Sequence, residues 1–135
     1  MTTSGEEAPL RSNDDVVRVR QLVRVAASAA GMSLVDQTKI VTAASELARN
    51  TLVYGGGGAV AIEQVTNPGG RAGIRITFRD EGPGIPDVDL ALTDGWTSGS
   101  GLGLGLSGAR KLADEFELDT ETGRGTTVTV VKWAR

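Results

Sequence analysis

The chain has 135 residues, a net charge of −3 and a hydrophobic share of 39%, which fits one globular domain with one core. The acidic balance argues against a nucleic-acid partner, because no cationic run is present to neutralise a row of phosphates. The sequence contains neither cysteine nor histidine. It therefore excludes a disulfide framework and thiol chemistry, and it leaves any general-base role to a carboxylate.

The N-terminal residues are polar and acidic and lack the apolar segment of a signal peptide. No apolar run approaches the roughly 20 residues that span a bilayer. We therefore expect a soluble, cytoplasmic protein with no membrane partner. Residues 1–13 are expected to form a flexible lead-in with at most a short strand near residues 10–12, and residues 14–135 form the folded domain.

Two helices are predicted at the start of this domain. Asp14 or Asp15 can cap a helix that continues to about residue 30, where Gly31 ends it. Ser33, followed three residues later by an acidic residue, resembles a capping box and opens a second helix over residues 34–53. The apolar residues of both segments recur with the period of a helix that buries one face.

Alternating side chains predict strands over residues 59–65 and 73–79, joined as a hairpin by a turn at residues 67–70. Two further strands are predicted over residues 117–121 and 126–133. A third helix is predicted between the two pairs of strands, from apolar residues spaced by four and three: Leu102, Leu106, Ala109, Ala113 and Phe116. This order predicts an α+β two-layer sandwich, with helices packed on one face of a mixed, mostly antiparallel sheet.

Three motifs in this framework carry chemistry. Glu46 and Asn50 lie one turn apart on the second helix and point the same way. Asp80 ends a strand and is followed by glycines 82 and 84, which allow a ligand to reach the backbone. The glycine run at residues 99–105 opens a helix, whose free N–H groups and dipole suit phosphate.

Each motif has an ordinary alternative when taken alone. A Glu-x-x-x-Asn pair is common on solvated helix faces, Asp-x-Gly-x-Gly can be a simple turn, and glycine-rich loops serve many purposes. The combination in this order, completed by Gly125 and Thr126 entering the last strand, indicates a nucleotide site.

This combination resembles the ATP-binding fold shared by DNA gyrase, heat-shock chaperone ATPases, histidine kinases and mismatch-repair ATPases. The resemblance extends from about residue 14 to the C-terminus. Within that superfamily, residues 44–50 look most like the anti-sigma regulatory serine/threonine kinases of bacteria. Residues 62–65, 80–87, 94–96 and 131–135 are most similar to the switch kinases of the stressosome.

The resemblance implies roles for the residues around the base of ATP. Asp80 would accept a hydrogen bond from the adenine amino group, which selects adenine because guanine presents a carbonyl there. Gly82 and Gly84 would let the backbone approach the purine. Thr126 would add a hydroxyl near the same edge, through a water molecule.

The resemblance also implies the phosphate-side roles. Asn50 would bind the Mg²⁺ that bridges the phosphates, and Glu46 would be the catalytic base that takes the proton from the incoming serine or threonine hydroxyl. Arg49 would contact the partner or a phosphate, and residues 87–100 would form a lid. The loop that wraps the phosphates would include Gly99, Gly101, Leu102, Gly103, Leu104 and Gly105, with N–H groups from the glycines at 101, 103 and 105.

Three functions are compatible with this site. The first is a protein serine/threonine kinase that phosphorylates a small anti-sigma-factor-antagonist-type protein, and that is then free to activate a protein phosphatase. The second is an anti-sigma factor that binds a sigma subunit directly, and the third is a module in which ATP acts only as a conformational ligand. Because the chain has no histidine, a histidine-kinase reaction is excluded within it. A homodimer is compatible with the resemblance, but the first strand that such kinases use for dimer contacts is hard to find before residue 14.

Overall fold

The computed structural model describes residues 5–85, residue 92 and residues 105–135. Within this part of the chain, no helix has the length and apolar character needed to cross a bilayer. Its elements follow in the order β1 (Gly5–Leu10), α1 (Asn13–Ala29), α2 (Leu34–Val53), β2 (Gly58–Thr66), β3 (Ala72–Asp80), α3 (Gly105–Leu112), β4 (Glu115–Glu121) and β5 (Gly125–Trp133).

The five strands form one sheet in the order β1-β2-β3-β5-β4. The α+β class is confirmed, and the four strand pairings described are all antiparallel. Alternate residues of each strand face the helices, as expected for a sheet with one covered face. These buried strand residues are Ala8, Leu10, Val60, Ile62, Ile74, Ile76, Phe78, Val128 and Val130.

The helices α1 and α2 complete the core with one apolar stripe each. Ser12 is the N-cap of α1, where its hydroxyl accepts a hydrogen bond from the Asp15 N–H, so the cap lies two residues before the expected Asp14. Gly31 follows the helix at φ 85°, a conformation that glycine adopts without strain. The predicted start of α2 is confirmed, since the Ser33 hydroxyl accepts from the Asp36 N–H at 3.2 Å.

The N-terminal segment differs from the expectation of a flexible lead-in, because residues 5–10 form the strand β1. This strand pairs with β2 from Gly5 opposite Glu63 to Leu10 opposite Gly58. Only Ala8 and Leu10 are buried in it. Two apolar residues at alternate positions, among glutamates and a proline, give too short a pattern to predict a strand from sequence.

The third helix ends earlier than the apolar spacing predicts. It stops at Leu112, and Asp114 N–H already donates to the Val131 carbonyl oxygen at 2.9 Å. Phe116, expected on the helix, lies in β4, because the two-residue alternation of residues 115–121 overrides the spacing of four and three. On the opposite face, β4 exposes an acidic residue at every second position: Glu115, Glu117, Asp119 and Glu121.

A cluster of charged side chains connects the end of β5 to the first turn of α2 and to the short segment between α3 and β4. Lys132 is 4% exposed, and its ammonium lies 3.7 Å from a carboxylate oxygen of Asp36, in the first turn of α2, and 3.6 Å from one of Asp114. Asp114 also accepts hydrogen bonds from the Trp133 N–H at 2.7 Å and from the Arg135 guanidinium. The buried charge is therefore paired on two sides, which offsets its desolvation.

The ionisation of Asp114 makes this cluster sensitive to acid. Burial alone would raise the pKa of Asp114, but the Trp133 N–H, Lys132 and Arg135 together lower it below its ordinary value of 3.8. A carboxylate with a lowered pKa stabilises the folded state above the pKa of the unfolded chain. That stabilisation is lost as the pH falls through the lower, folded-state value.

We predict that Asp114→Asn lowers the free energy of unfolding at pH 7 by about 1–3 kcal/mol, because Lys132 keeps only one of its two carboxylates. Urea unfolding at pH 7 and at decreasing pH measures the effect. The difference from the parent protein should shrink as the pH falls through the lowered, folded-state pKa of Asp114, below which this side chain is protonated in both states. The matched control is Asp119→Asn on the exposed face of β4, expected to change stability by less than about 0.5 kcal/mol. A constant difference at all pH values would contradict the assignment.

Candidate functional site

A single row of strand residues crosses the sheet where β3 ends and β5 begins. The members of this register row are register partners on successive strands, and the four that carry a side chain point toward the helices. In strand order they are Leu10, Gly58, Asp80, Thr126 and Thr120. The row brings together two residues predicted for the adenine site, Asp80 and Thr126, which lie 46 positions apart in the sequence.

The carboxylate of Asp80 is held from two sides. Its Oδ1 accepts a hydrogen bond from the Gly82 N–H at 2.9 Å. On the other side, a Cβ at Gly55 would lie 2.3 Å from the carboxyl carbon of Asp80, so the glycine backbone lies directly against this group. The side chain is half-buried. It is a fixed acceptor: Oδ1 is committed to the Gly82 N–H, and no described residue donates a hydrogen bond to the other oxygen.

The glycines that follow Asp80 allow backbone segments to lie in contact. A Cβ at Gly82 would come within 2.8 Å of the Gly55 Cα, and one at Gly84 within 2.5 Å of the Glu121 carbonyl oxygen. Gly84 also has φ 81°. The Gly123 N–H donates to the Pro83 carbonyl oxygen at 2.8 Å. Residues 81–85 are therefore fastened to the turn between β4 and β5 and packed against Gly55 beside Asp80.

The last two turns of α2 carry the other predicted residues. Glu46 and Asn50 are both half-buried and Arg49 is exposed. The Asn50 carbonyl oxygen accepts from the N–H groups of residues 54 and 55, at 2.9 and 3.4 Å. Because Gly55 lies against Asp80, this end of the helix directs its final turn toward the carboxylate.

The glycine run is described only at its end. Gly105 is the first residue of α3, as predicted for a loop that opens a helix. Gly99, Gly101, Leu102, Gly103 and Leu104 lie outside the described residues, as does the expected lid at residues 87–100 except for Leu92. Leu92 is half-buried against the core, and Leu106 and Ala109 of α3 are part of that core.

Two residues at the site were not predicted from the sequence. Gly55 belongs to a run of four glycines at residues 55–58, directly after α2, which as a local pattern indicates only that the helix ends. Thr120 accepts a hydrogen bond from the Ile85 N–H at 2.9 Å, and its hydroxyl lies 2.8 Å from that of Thr126. Its only sequence signal is its place in the two-residue alternation of β4, which marks a face but no function.

Comparison with known proteins extends these observations. Residues 35–134 match the model of a protein family described as histidine kinase-, DNA gyrase B- and HSP90-like ATPases. The chain belongs to this ATPase family. The matched segment begins in α2 and ends after β5, so it contains Glu46, Asn50, Asp80 and Thr126. The family predicted from the motifs is confirmed.

Within the ATPase family, the chain is similar to regulatory proteins of bacteria. It is 46% identical over 121 residues to the serine/threonine-protein kinase RsbT of Bacillus subtilis, covering 90% of each chain. It is 32% identical over 104 residues to the anti-sigma F factor of Geobacillus stearothermophilus, covering 72% of this chain and 69% of that protein. The predicted likeness to anti-sigma-type serine/threonine kinases is thus confirmed.

A solved structure supports the fold of this ATPase family member independently. The crystal structure of the RsbU and RsbW domains of Rv1364c from Mycobacterium tuberculosis matches with a TM-score of 0.66 and 21% sequence identity. The match covers 98% of this chain and 33% of the longer protein. At this identity the likeness concerns the fold alone.

We predict that Gly84→Ala is more damaging than Gly70→Ala. The two glycines have φ values of 81° and 85°, so each alanine is strained by about 1–2 kcal/mol. Only at Gly84 would the new Cβ meet backbone, 2.5 Å from the Glu121 carbonyl oxygen, whereas nothing lies within 4 Å at Gly70. The clash should cost about 1–3 kcal/mol more.

Chemical unfolding and ATP titration of both variants provide the measurement. Gly84→Ala should also weaken ATP binding, because residues 81–85 must move away from the β4–β5 turn. Gly70→Ala should bind ATP as the parent protein does. Equal losses of stability and affinity in the two variants would show that the fastening of this loop has no part in the site.

Proposed function

We propose that this chain is an ATP-dependent protein serine/threonine kinase that acts on a regulatory protein. The observation that carries the proposal is the close approach of Gly55 to Asp80. It joins the helix bearing Glu46 and Asn50 to the carboxylate expected to recognise adenine. The similarity to the kinase RsbT over 90% of both chains supports the same reaction class.

The base of ATP would bind at the register row. The free oxygen of Asp80 accepts from the adenine amino group, while its Oδ1 stays on the Gly82 N–H. The purine would lie beside the loop of residues 81–85, which Gly82 and Gly84 hold against the backbone of Gly55 and Glu121. Thr126, the register partner of Asp80, supplies a hydroxyl at the neighbouring edge of the base.

The phosphates would lie between α2 and the start of α3. The N–H groups of the glycine run, which ends at Gly105, would face the phosphate oxygens. Among the described residues, no cluster of three or more acidic, cysteine or histidine side chains is suited to hold a metal ion. By the family resemblance, the amide oxygen of Asn50 would help to hold a Mg²⁺ at the phosphates, where the ion would supply charge neutralisation during the transfer.

Glu46 would act as the base. As the acceptor hydroxyl oxygen forms its bond to the γ-phosphorus, the bond from that phosphorus to the bridging oxygen of ADP breaks, and the hydroxyl proton passes to the Glu46 carboxylate. Such a transfer depends mainly on positioning and charge neutralisation, so one carboxylate on a rigid helix is sufficient. Arg49, exposed one turn from Glu46 and Val53, would contact the incoming protein or its phosphate.

The protein substrate would be a small anti-sigma-factor antagonist. Phosphorylation would lower its affinity for the kinase, and the released kinase would then bind and activate a protein phosphatase. We expect neither nucleic acid nor membrane as a partner, a cytoplasmic location, and a homodimer as the alternative to a monomer. A second candidate, an anti-sigma factor that binds a sigma subunit directly, is favoured by the 32% identity to the anti-sigma F factor of Geobacillus stearothermophilus.

We predict that Asp80→Asn abolishes ATP binding. Both partners of this side chain, the Gly82 N–H and the adenine amino group, are donors, and asparagine has only one carbonyl oxygen to serve them. Isothermal titration with ATP measures the loss. Asp119→Asn on the exposed face of β4 is the matched control and should bind normally. Unchanged affinity in Asp80→Asn would refute the site assignment.

We predict that Glu46→Ala binds ATP normally but transfers phosphate about 10²–10⁴ times more slowly, because only the base is removed. Nucleotide titration and intact-mass analysis of a purified antagonist with Mg-ATP separate the two effects. Glu117→Ala, which removes an exposed glutamate of β4, is the control and should retain full activity. Full transfer by Glu46→Ala would exclude this residue as the base.

A capture experiment distinguishes the candidate functions. The tagged chain is incubated with Mg-ATP in lysate of its own source cells, and every co-purified protein is weighed intact. A small partner that gains one phosphoryl mass and dissociates, followed by capture of a phosphatase, supports the switch kinase. A retained sigma subunit supports the anti-sigma factor. A partner that binds without gaining mass, with no release of free phosphate, supports an ATP-sensing module and overturns the kinase proposal.

A further inference from the structure

The hydroxyl of Thr120 lies where three segments meet at the site. It accepts a hydrogen bond from the Ile85 N–H at 2.9 Å, at the end of the glycine-containing loop after β3. It lies 2.8 Å from the hydroxyl oxygen of Thr126 and 3.3 Å from the carbonyl oxygen of Gly125, at the start of β5. The side chain is half-buried and belongs to the register row.

The two hydroxyl groups of Thr120 and Thr126 have one hydrogen each, which limits whether Thr126 can donate a hydrogen bond to a ligand. A threonine hydroxyl has one hydrogen to donate and two lone pairs that accept. If Thr120 donates to Thr126, the hydrogen of Thr126 is free to point toward a ligand. If Thr126 donates to Thr120, the hydrogen of Thr120 goes to Gly125, and Thr126 offers a ligand only lone pairs.

Adenine and guanine present opposite hydrogen-bonding patterns on their Watson–Crick edges. The Watson–Crick edge of adenine presents a donor, the 6-amino group, beside an acceptor, the ring nitrogen N1. Guanine presents a carbonyl beside an N–H, which is the reverse order. Asp80 when ionised offers only acceptors, so a complete match to adenine needs one hydrogen donor next to it. The register partner of Asp80 is Thr126.

We propose that Thr120 is a positioning residue for nucleotide selection: its hydroxyl donates to Thr126 and so turns the Thr126 hydrogen toward N1 of adenine, directly or through one water molecule. The inference rests on the proposed ATP site and deepens it. The Ile85 N–H occupies one lone pair of Thr120, so the same hydroxyl links the orientation of Thr126 to the loop that carries Gly82 and Gly84. Selection of adenine then depends on a residue that does not touch the base.

The test compares ATP with 1-deaza-ATP, in which N1 is replaced by a C–H group that cannot accept a hydrogen bond. The parent protein should bind ATP about three- to tenfold more tightly than 1-deaza-ATP, the effect of one hydrogen bond. In Thr120→Val this ratio should fall close to one, because the Thr126 hydrogen is no longer held toward the base. Thr120→Ser keeps the hydroxyl and should restore the ratio.

The ratio of the affinities for ATP and 1-deaza-ATP separates a loss of Thr126 orientation from a general loss of nucleotide binding. Thr120→Val also leaves the Ile85 N–H without its partner, and the resulting loss should weaken both nucleotides equally. The control Thr129→Val lies on the opposite face of β5 and makes the same chemical change, so its ratio should equal that of the parent. Circular dichroism of each variant checks folding. If Thr120→Val does not fold, Thr120→Ala, which removes the same hydroxyl with a smaller side chain, takes its place and should also bring the ratio close to one.

The outcomes are distinct. A parent protein that binds ATP with no preference over 1-deaza-ATP overturns the inference but leaves the proposed function standing. A ratio in Thr120→Val that equals that of the parent, whether or not both affinities fall, overturns it as well. A parent protein that does not bind ATP at all removes the proposed function itself, and the inference with it.

Discussion

The antiparallel register of the sheet is the constraint on which the site depends. Side chains alternate between the two faces of a strand, so a slip of one residue would move every member of the row to the other face. Asp80 and Thr126 would then point away from α2, and Phe78 and Val128 would leave the core. The same pairing that buries the apolar residues therefore aims the polar ones. Core packing and site geometry have one cause.

Close backbone contact is the second element of the design. The register row includes Gly58, where a Cβ would lie 2.0 Å from the Arg79 carbonyl oxygen and 2.9 Å from the methyl group of Thr51. At Gly55 and Gly82 the two loops around Asp80 meet with only hydrogen atoms between them. Glycine weakens regular structure, but at this end of the sheet it permits the close backbone contacts that hold Asp80 in place. The opposite end is built differently, around the buried ammonium of Lys132, about 20 Å away along β5 at the rise of an extended strand.

Much of this arrangement could be predicted from the sequence. The bounds of α2 agree with the prediction because its caps and its apolar period give the same answer, and Asp80 could be identified because a strand ending and two glycines coincide there. Strand β1 could not, since two buried residues are too few to form a pattern. The predicted end of α3 was wrong because Ala109, Ala113 and Phe116 keep a helical spacing of four and three, although the helix stops at Leu112 and Phe116 already lies in β4. Gly55 and Thr120 belong to the site because they contact Asp80 and Ile85, which are distant in sequence, and a local sequence pattern cannot reveal such contacts.

The acidic face of β4 has a consequence for how the molecule meets other proteins. Both outer strands of a sheet carry backbone groups that can pair with a second chain. On β4, self-pairing would set four carboxylates against four others, and on β1 Pro9 has no N–H to contribute. Both features disfavour extension of the sheet by an identical strand paired edge to edge. They thereby protect the chain from uncontrolled edge-to-edge aggregation.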